Sequence, residues 1–185
     1  MKKTKFMSVC VVTTALLLAF SSCSKNKQES VTSGAEATNA ELSDEQFDNF
    51  DRKELIKIAI ENQKKSYAPY STYNVSAALI ASSGKIYTGV NVENASYPVG
   101  VCAERVAICK AISEGEHGIK AIAIVGGKNY TVQDFCAPCG MCRQAMREFC
   151  DPKKMRVVFA KSQGEYKELS LEELLPESFG PDALK

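Results

Sequence analysis

Two short segments, Cys102-Ala103-Glu104 and Pro138-Cys139-Gly140-Met141-Cys142, hold the residue types best suited to chemistry in this 185-residue chain. Three thiolates can fill three corners of a tetrahedron around Zn²⁺ and leave the fourth to water. That is the arrangement of a catalytic site, whereas a structural zinc site closes with four protein ligands. Glu104 lies two residues after the first cysteine. It reads as a general acid/base for that water, because a fourth protein ligand would close the open position. Three thiolates also leave the metal with excess negative charge, which weakens it as a Lewis acid unless neighbours offset it. Arg105 and Arg143, each beside a ligand, are the candidates.

The cysteines admit other readings: disulfides, a four-ligand structural knot, or simple burial. A P-C-x-x-C pair alone would leave these open, but with C-A-E upstream at the start of a predicted helix the pattern points to one catalytic zinc per subunit, held by Cys102, Cys139 and Cys142. The chain has eight cysteines. Cys109, Cys136 and Cys150 lack a partner motif and are expected to be buried as small apolar residues. The single histidine, His117, lies in the turn-like Gly115-Glu116-His117-Gly118 and is expected at the surface.

The elements that must position these groups alternate. Ser43 with Gln46 resembles a capping box, and the apolar spacing of Phe47, Phe50, Leu55, Ile58 and Ala59 predicts a helix from about residue 44 to Ser66, with a break near Asp51. Pro69 steers the chain away from helix just beyond it. Val75 to Ala81 and Lys85 to Val92 read as an antiparallel hairpin around Ser82-Ser83-Gly84. A helix follows from Ala103 to Glu114, then a strand from Ile119 to Val125 capped by Gly126-Gly127. A second motif-bearing helix is expected from about Cys139 to Phe149, then strands Met155 to Ala160 and Tyr166 to Leu169, and a short helix from Leu171 to Leu175. Together these predict an α/β domain of three layers, α/β/α, around a mixed five-stranded sheet.

The chain carries 23 Lys and Arg against 22 Asp and Glu, interspersed. No basic field suggests long nucleic acid as partner, so a small molecule is expected. Lys2, Lys3 and Lys5 precede an apolar run from Val9 to Phe20, then Ser21, Ser22 and Cys23. Such a start reads as an export signal and resembles that of a bacterial lipoprotein, with Cys23 lipidated after loss of residues 1–22. Residues 23–43 are polar and aperiodic and read as a flexible tether. The expectation is a cell-envelope lipoprotein, touching the membrane through its lipid anchor alone, with a catalytic domain over residues 44–185.

Beyond the metal pattern, Tyr67-Ala68-Pro69-Tyr70-Ser71, the run from Thr88-Gly89-Val90-Asn91 to Tyr97, Cys102-Ala103-Glu104-Arg105, Pro138 to Gln144, and Glu173-Leu174-Leu175-Pro176 resemble the zinc nucleoside deaminases, specifically the small homotetrameric cytidine deaminases. The likeness runs from about Leu55 to Phe179. It implies hydrolysis of cytidine and deoxycytidine to uridine and deoxyuridine plus ammonia, with water activated at zinc adding to carbon 4 and Glu104 carrying protons to the ring nitrogen and the departing amine. It further implies that Asn91 and Glu93 hold the ribose hydroxyls, that Tyr73 and Tyr97 lie beside sugar and base, and that the backbones of Ala103 and Ala137 meet the pyrimidine edge. Phe179 would stack on the base in a neighbouring subunit, so the active sites of a homotetramer would be shared.

Ser76 stands where the family commonly has glycine, Ala137 where it has serine, and Pro98-Val99-Gly100-Val101 differs from its usual run. The last of these touches the pocket wall, so a related modified nucleoside or a blasticidin-like aminopyrimidine is a rival substrate, and a nucleoside- or zinc-binding lipoprotein without turnover is a rival of another class. Export is testable at once. Intact mass of the membrane fraction is expected to show a chain beginning at acylated Cys23, and a soluble chain retaining Met1 would exclude it.

Overall fold

The computed structural model describes residues 48–185, and the signal, the tether and the Ser43–Gln46 pair lie outside them. The first described helix, α1, is Arg52–Gln63. The break expected near Asp51 is its start: the Asp51 carboxylate accepts from the backbone N–H of Lys53 at 2.9 Å and of Glu54 at 3.1 Å, satisfying donors that a helix N-terminus otherwise leaves unpaired. Among the described residues no helix is long and apolar enough to cross a membrane.

Five strands follow: β1 Tyr73–Ala81, β2 Ile86–Val90, β3 Ile119–Lys128, β4 Arg156–Ala160 and β5 Tyr166–Ser170. They lie in the order β2-β1-β3-β4-β5. β1 runs antiparallel to both β2 and β3, β3 parallel to β4, and β4 antiparallel to β5, so the sheet is mixed. Helices α2 Ala103–Ser113 and α3 Gly140–Arg147 carry the two motifs, and α4 Leu171–Leu174 begins with a capping box of Ser170 and Glu173. Gly126 and Gly127 do not cap β3 as expected but pair within it, opposite Val75 and Asn74. Glycine is required there by close approach: a Cβ on Gly126 would lie 2.6 Å from the Cys136 sulfur, and one on Gly127 would overlap the Thr131 carbonyl.

Alternation along the strands divides the core in two. One face packs Ala78, Ile80, Ala121, Ala123, Val125 and Val158 against Leu55, Ile56 and Ala59 of α1. The other packs Ala77, Leu79, Ile122, Ile124 and Val157 against Ala103, Ala107 and Ala111 of α2 and Cys142 and Met146 of α3. The result is the expected three layers. The small residues of α2 let it lie close to the sheet, and β3 is apolar on both faces because both are covered.

A polar tie joins α1 to the hairpin. Asn62 Nδ2 donates to Ser76 Oγ at 3.1 Å and to the Gly89 carbonyl at 3.2 Å, and Ser76 Oγ also donates to that carbonyl at 3.2 Å. The serine at this family glycine position is thus buried with its hydroxyl satisfied, which removes the penalty of an unpaired polar group. Gly89 itself meets α2. A Cβ there would overlap the Ala103 carbonyl oxygen and lie 2.5 Å from Ala107 N. Gly89→Ala is expected to push α2 off the sheet and destabilise the fold by about 1–3 kcal/mol, read as a lowered midpoint in chemical denaturation; an unchanged midpoint would show that α2 can shift without cost.

Candidate metal centre and pocket

Cys102 and Cys139 are the residues immediately before α2 and α3, both in extended backbone, and Cys142 falls in the first turn of α3. Two helix starts therefore converge on the sulfurs, placing the positive ends of their dipoles nearby, although neither Cys102 nor Cys139 accepts a capping hydrogen bond from its helix. The three Sγ atoms lie within 4.8 Å of one another, with Cys139 and Cys142 3.5 Å apart. Two sulfurs sharing a tetrahedral zinc at about 2.3 Å stand roughly 3.8 Å apart, so the donor set fits that metal in spacing and in softness. Cys142 is buried, Cys102 half-buried and Cys139 exposed, which leaves one side of the cluster open.

The thiols influence one another directly. The hydrogen bond from Cys142 draws the Cys102 thiol down to about 6, with the Arg105 charge also helping and burial and the Glu104 charge opposing. The same bond, with burial, pushes Cys142 upward. Glu104 is 4% exposed, and burial raises its carboxyl above the ordinary range against the pull of its own backbone and Cys142. Such a carboxyl holds a proton more readily than an ordinary one, which suits a group that must take and give protons. Arg143 acts on backbone: its Nε donates to the Pro138 carbonyl at 2.9 Å and its Nη1 to the Leu174 carbonyl at 2.7 Å, bracing the loop that delivers Cys139.

A cavity of about 550 Å³ opens over these groups. Cys102, Ala103, Glu104 and Cys139 line one end, and Asn91, Glu93 and Tyr97 another part of its wall. The Asn91 amide bridges to β1, accepting from Val75 N and donating to the Tyr73 carbonyl, both at 2.8 Å, so that it extends the ladder past the end of β2. Glu93 Oε2 accepts from Tyr70 N at 2.9 Å and Ser71 N at 3.2 Å. Contacts from the Ser71 side chain and these N–H groups hold the Glu93 carboxyl below its ordinary range.

Tyr73 and Phe179 are not among the lining residues. Tyr73 sits behind the wall against Cys136. Phe179 is 61% exposed, its carbonyl accepting from Gln144 Nε2 at 3.0 Å. Cys136, expected merely to be buried, lines the cavity, as do Tyr70 and Val75, whose places there sequence reasoning did not foresee, and Gly100 and Val101 of the run at residues 98–101, whose place at the pocket wall it did. The one available signal for Cys136 was position: it lies close to a ligand in sequence. Cys109 is exposed, contrary to expectation, because its place on α2 faces away from the sheet; Cys150 is half-buried, and His117 is at the surface as expected.

Residues 50–160 match the model of the cytidine and deoxycytidylate deaminase zinc-binding region. Over 129 residues the chain is 44% identical to a cytidine deaminase of Halalkalibacterium halodurans, an alignment covering 70% of this chain and 94% of that one. It is 39% identical over 134 residues to one from Sporosarcina psychrophila, covering 72% and 95%. Among solved structures, the cytidine deaminase from Burkholderia pseudomallei superposes with a TM-score of 0.62 at 42% identity, covering 68% of this chain and 97% of that one. The ligand set predicts that the full chain with Cys139→Ala retains far less zinc than the wild type after dialysis, measured by elemental analysis; full retention would exclude Cys139 as a ligand.

Proposed function

This chain belongs to the cytidine and deoxycytidylate deaminase zinc-binding family and acts as a zinc-dependent deaminase of cytidine, and from that premise we propose how its residues divide the work and extend the activity to deoxycytidine. The observation that carries the reading is a buried carboxyl, Glu104, beside three converging sulfurs in a pocket whose wall also bears Asn91 and Glu93. Cys102, Cys139 and Cys142 hold the metal, which when bound supplies an activated water for attack on an amine-bearing carbon.

Glu104 handles the protons. It takes one from the attacking water and delivers it to the ring nitrogen, then takes the proton of the added hydroxyl and gives it to the amine, so that the carbon–nitrogen bond breaks, a carbonyl remains and ammonia leaves as a neutral molecule. Its raised carboxyl suits it to both halves of that exchange. The backbones of Ala103 and Ala137 meet the pyrimidine edge. Asn91 and Glu93 take the ribose hydroxyls, Glu93 through the oxygen that Tyr70 and Ser71 leave to the pocket. Tyr97 covers the rim, and Tyr73 supports the wall beside the base. Arg105 steadies the Cys102 thiolate, and Arg143 acts through the Pro138 carbonyl.

Phe179, exposed and apolar, suits a role against the substrate of a neighbouring copy in a homotetramer. The charge and apolar pattern through Cys23 supports a lipid-anchored location in the cell envelope. With zinc-loaded full chain, the ultraviolet change of cytidine becoming uridine is expected, and Glu104→Gln is expected to lower kcat by about 10²–10⁴-fold with zinc content unchanged. No turnover of cytidine or deoxycytidine by the zinc-loaded wild type would overturn the reading, and retained cytidine binding would then favour a binding protein.

A further inference from the structure

Cys136 lines the pocket with Cys102 and Cys139 and is the one of these three thiols outside the metal cluster. Its sulfur and the Tyr73 ring share the space above Gly126, where an added Cβ would lie 2.6 Å from Cys136 Sγ and 3.2 Å from Tyr73 Cε1. Burial pushes the tyrosine up to about 12 and the cysteine to about 11, and the interaction of the Tyr73 hydroxyl with the sulfur adds to the first rise and opposes the second. Both are thus neutral at physiological pH, and the contact is a neutral one.

The backbone of Tyr73 is held by the pocket itself, its N–H donating to Ser71 Oγ at 3.0 Å and its carbonyl accepting from Asn91 Nδ2 at 2.8 Å. What remains free is the ring. Cys136 supplies the constraint, and it stands on the loop that leads to Cys139, whose Pro138 carbonyl is braced from the other side by Arg143. The glycine at 126 is what lets the thiol and the ring approach the sheet so closely.

We infer that Cys136 is a positioning residue for substrate binding: it locks the Tyr73 ring to the loop that delivers Cys139 and so sets the shape of the pocket wall beside the base. The inference rests on the proposed placement of Tyr73 near the substrate. Loss of the lock affects binding in the ground state and transition state alike, so it raises KM more than it lowers kcat.

In the zinc-loaded full chain, Cys136→Ala is expected to raise KM for cytidine about fivefold, the scale of one hydrogen bond, with kcat changed less than twofold and zinc content unaltered. Tyr73→Phe is expected to give a similar rise, the double variant no more than either single one, and Cys136→Ser to recover most of the loss. Unchanged KM in Cys136→Ala, or additive effects in the double variant, would overturn the inference. Unchanged KM in Tyr73→Ala would instead overturn the placement of Tyr73, and with it the premise. Should the variants fail to fold, wild type decides: alkylation of Cys136, followed by peptide mass, is expected to slow in saturating uridine, and no protection would place the thiol away from the substrate.

Discussion

Three sulfur atoms from two distant stretches of chain must stand within bonding reach of a single ion, and most of the fold serves that demand. Thiolates repel one another and are costly to bury, so each needs local compensation. The sheet provides a shared face on which α2 and α3 both begin, so the positive ends of two helix dipoles lie beside the sulfurs. Gly89 sets how close α2 comes, and Arg143 fixes the approach to α3. Glu104 sits in the same confined space, so its raised carboxyl and the site share one cause in burial.

The chemistry was legible because it is local. Cys102 with Glu104, and Cys139 with Cys142, are each read within one helical turn, and Val75 to Ala81 was legible as a strand, although an apolar run buried on both faces does not say which residues meet which helix. The glycines misled. Gly126-Gly127 looked like the end of a strand, since glycine favours turns, whereas here it marks places where Cys136, Tyr73 and Thr131 crowd the backbone from other elements. No single-chain pattern reports a tertiary approach. The same reason hid the roles of Tyr70 and Cys136: one acts through a backbone N–H, and the other through contact with a residue 63 positions earlier.

Ser76 shows the converse. A polar side chain stands in a buried strand, and its hydroxyl is satisfied there by Asn62 and the Gly89 carbonyl. Because the Gly89 residue also faces α2, this buried polar knot touches the metal-bearing helix through a single peptide unit. Substitutions around Asn62 therefore belong to the same packing problem as those in the first turn of α2, although they lie in different layers.

The hold of Tyr70 and Ser71 on Glu93 has a consequence for recognition. A carboxylate on a short strand extension would ordinarily sample several rotamers, and a diol arriving at it would have to freeze that motion. Here two N–H groups have already selected one orientation through Oε2 before any ligand arrives. The freedom is lost once, when the chain folds, and in the role proposed for Glu93 each sugar would meet a preorganised oxygen.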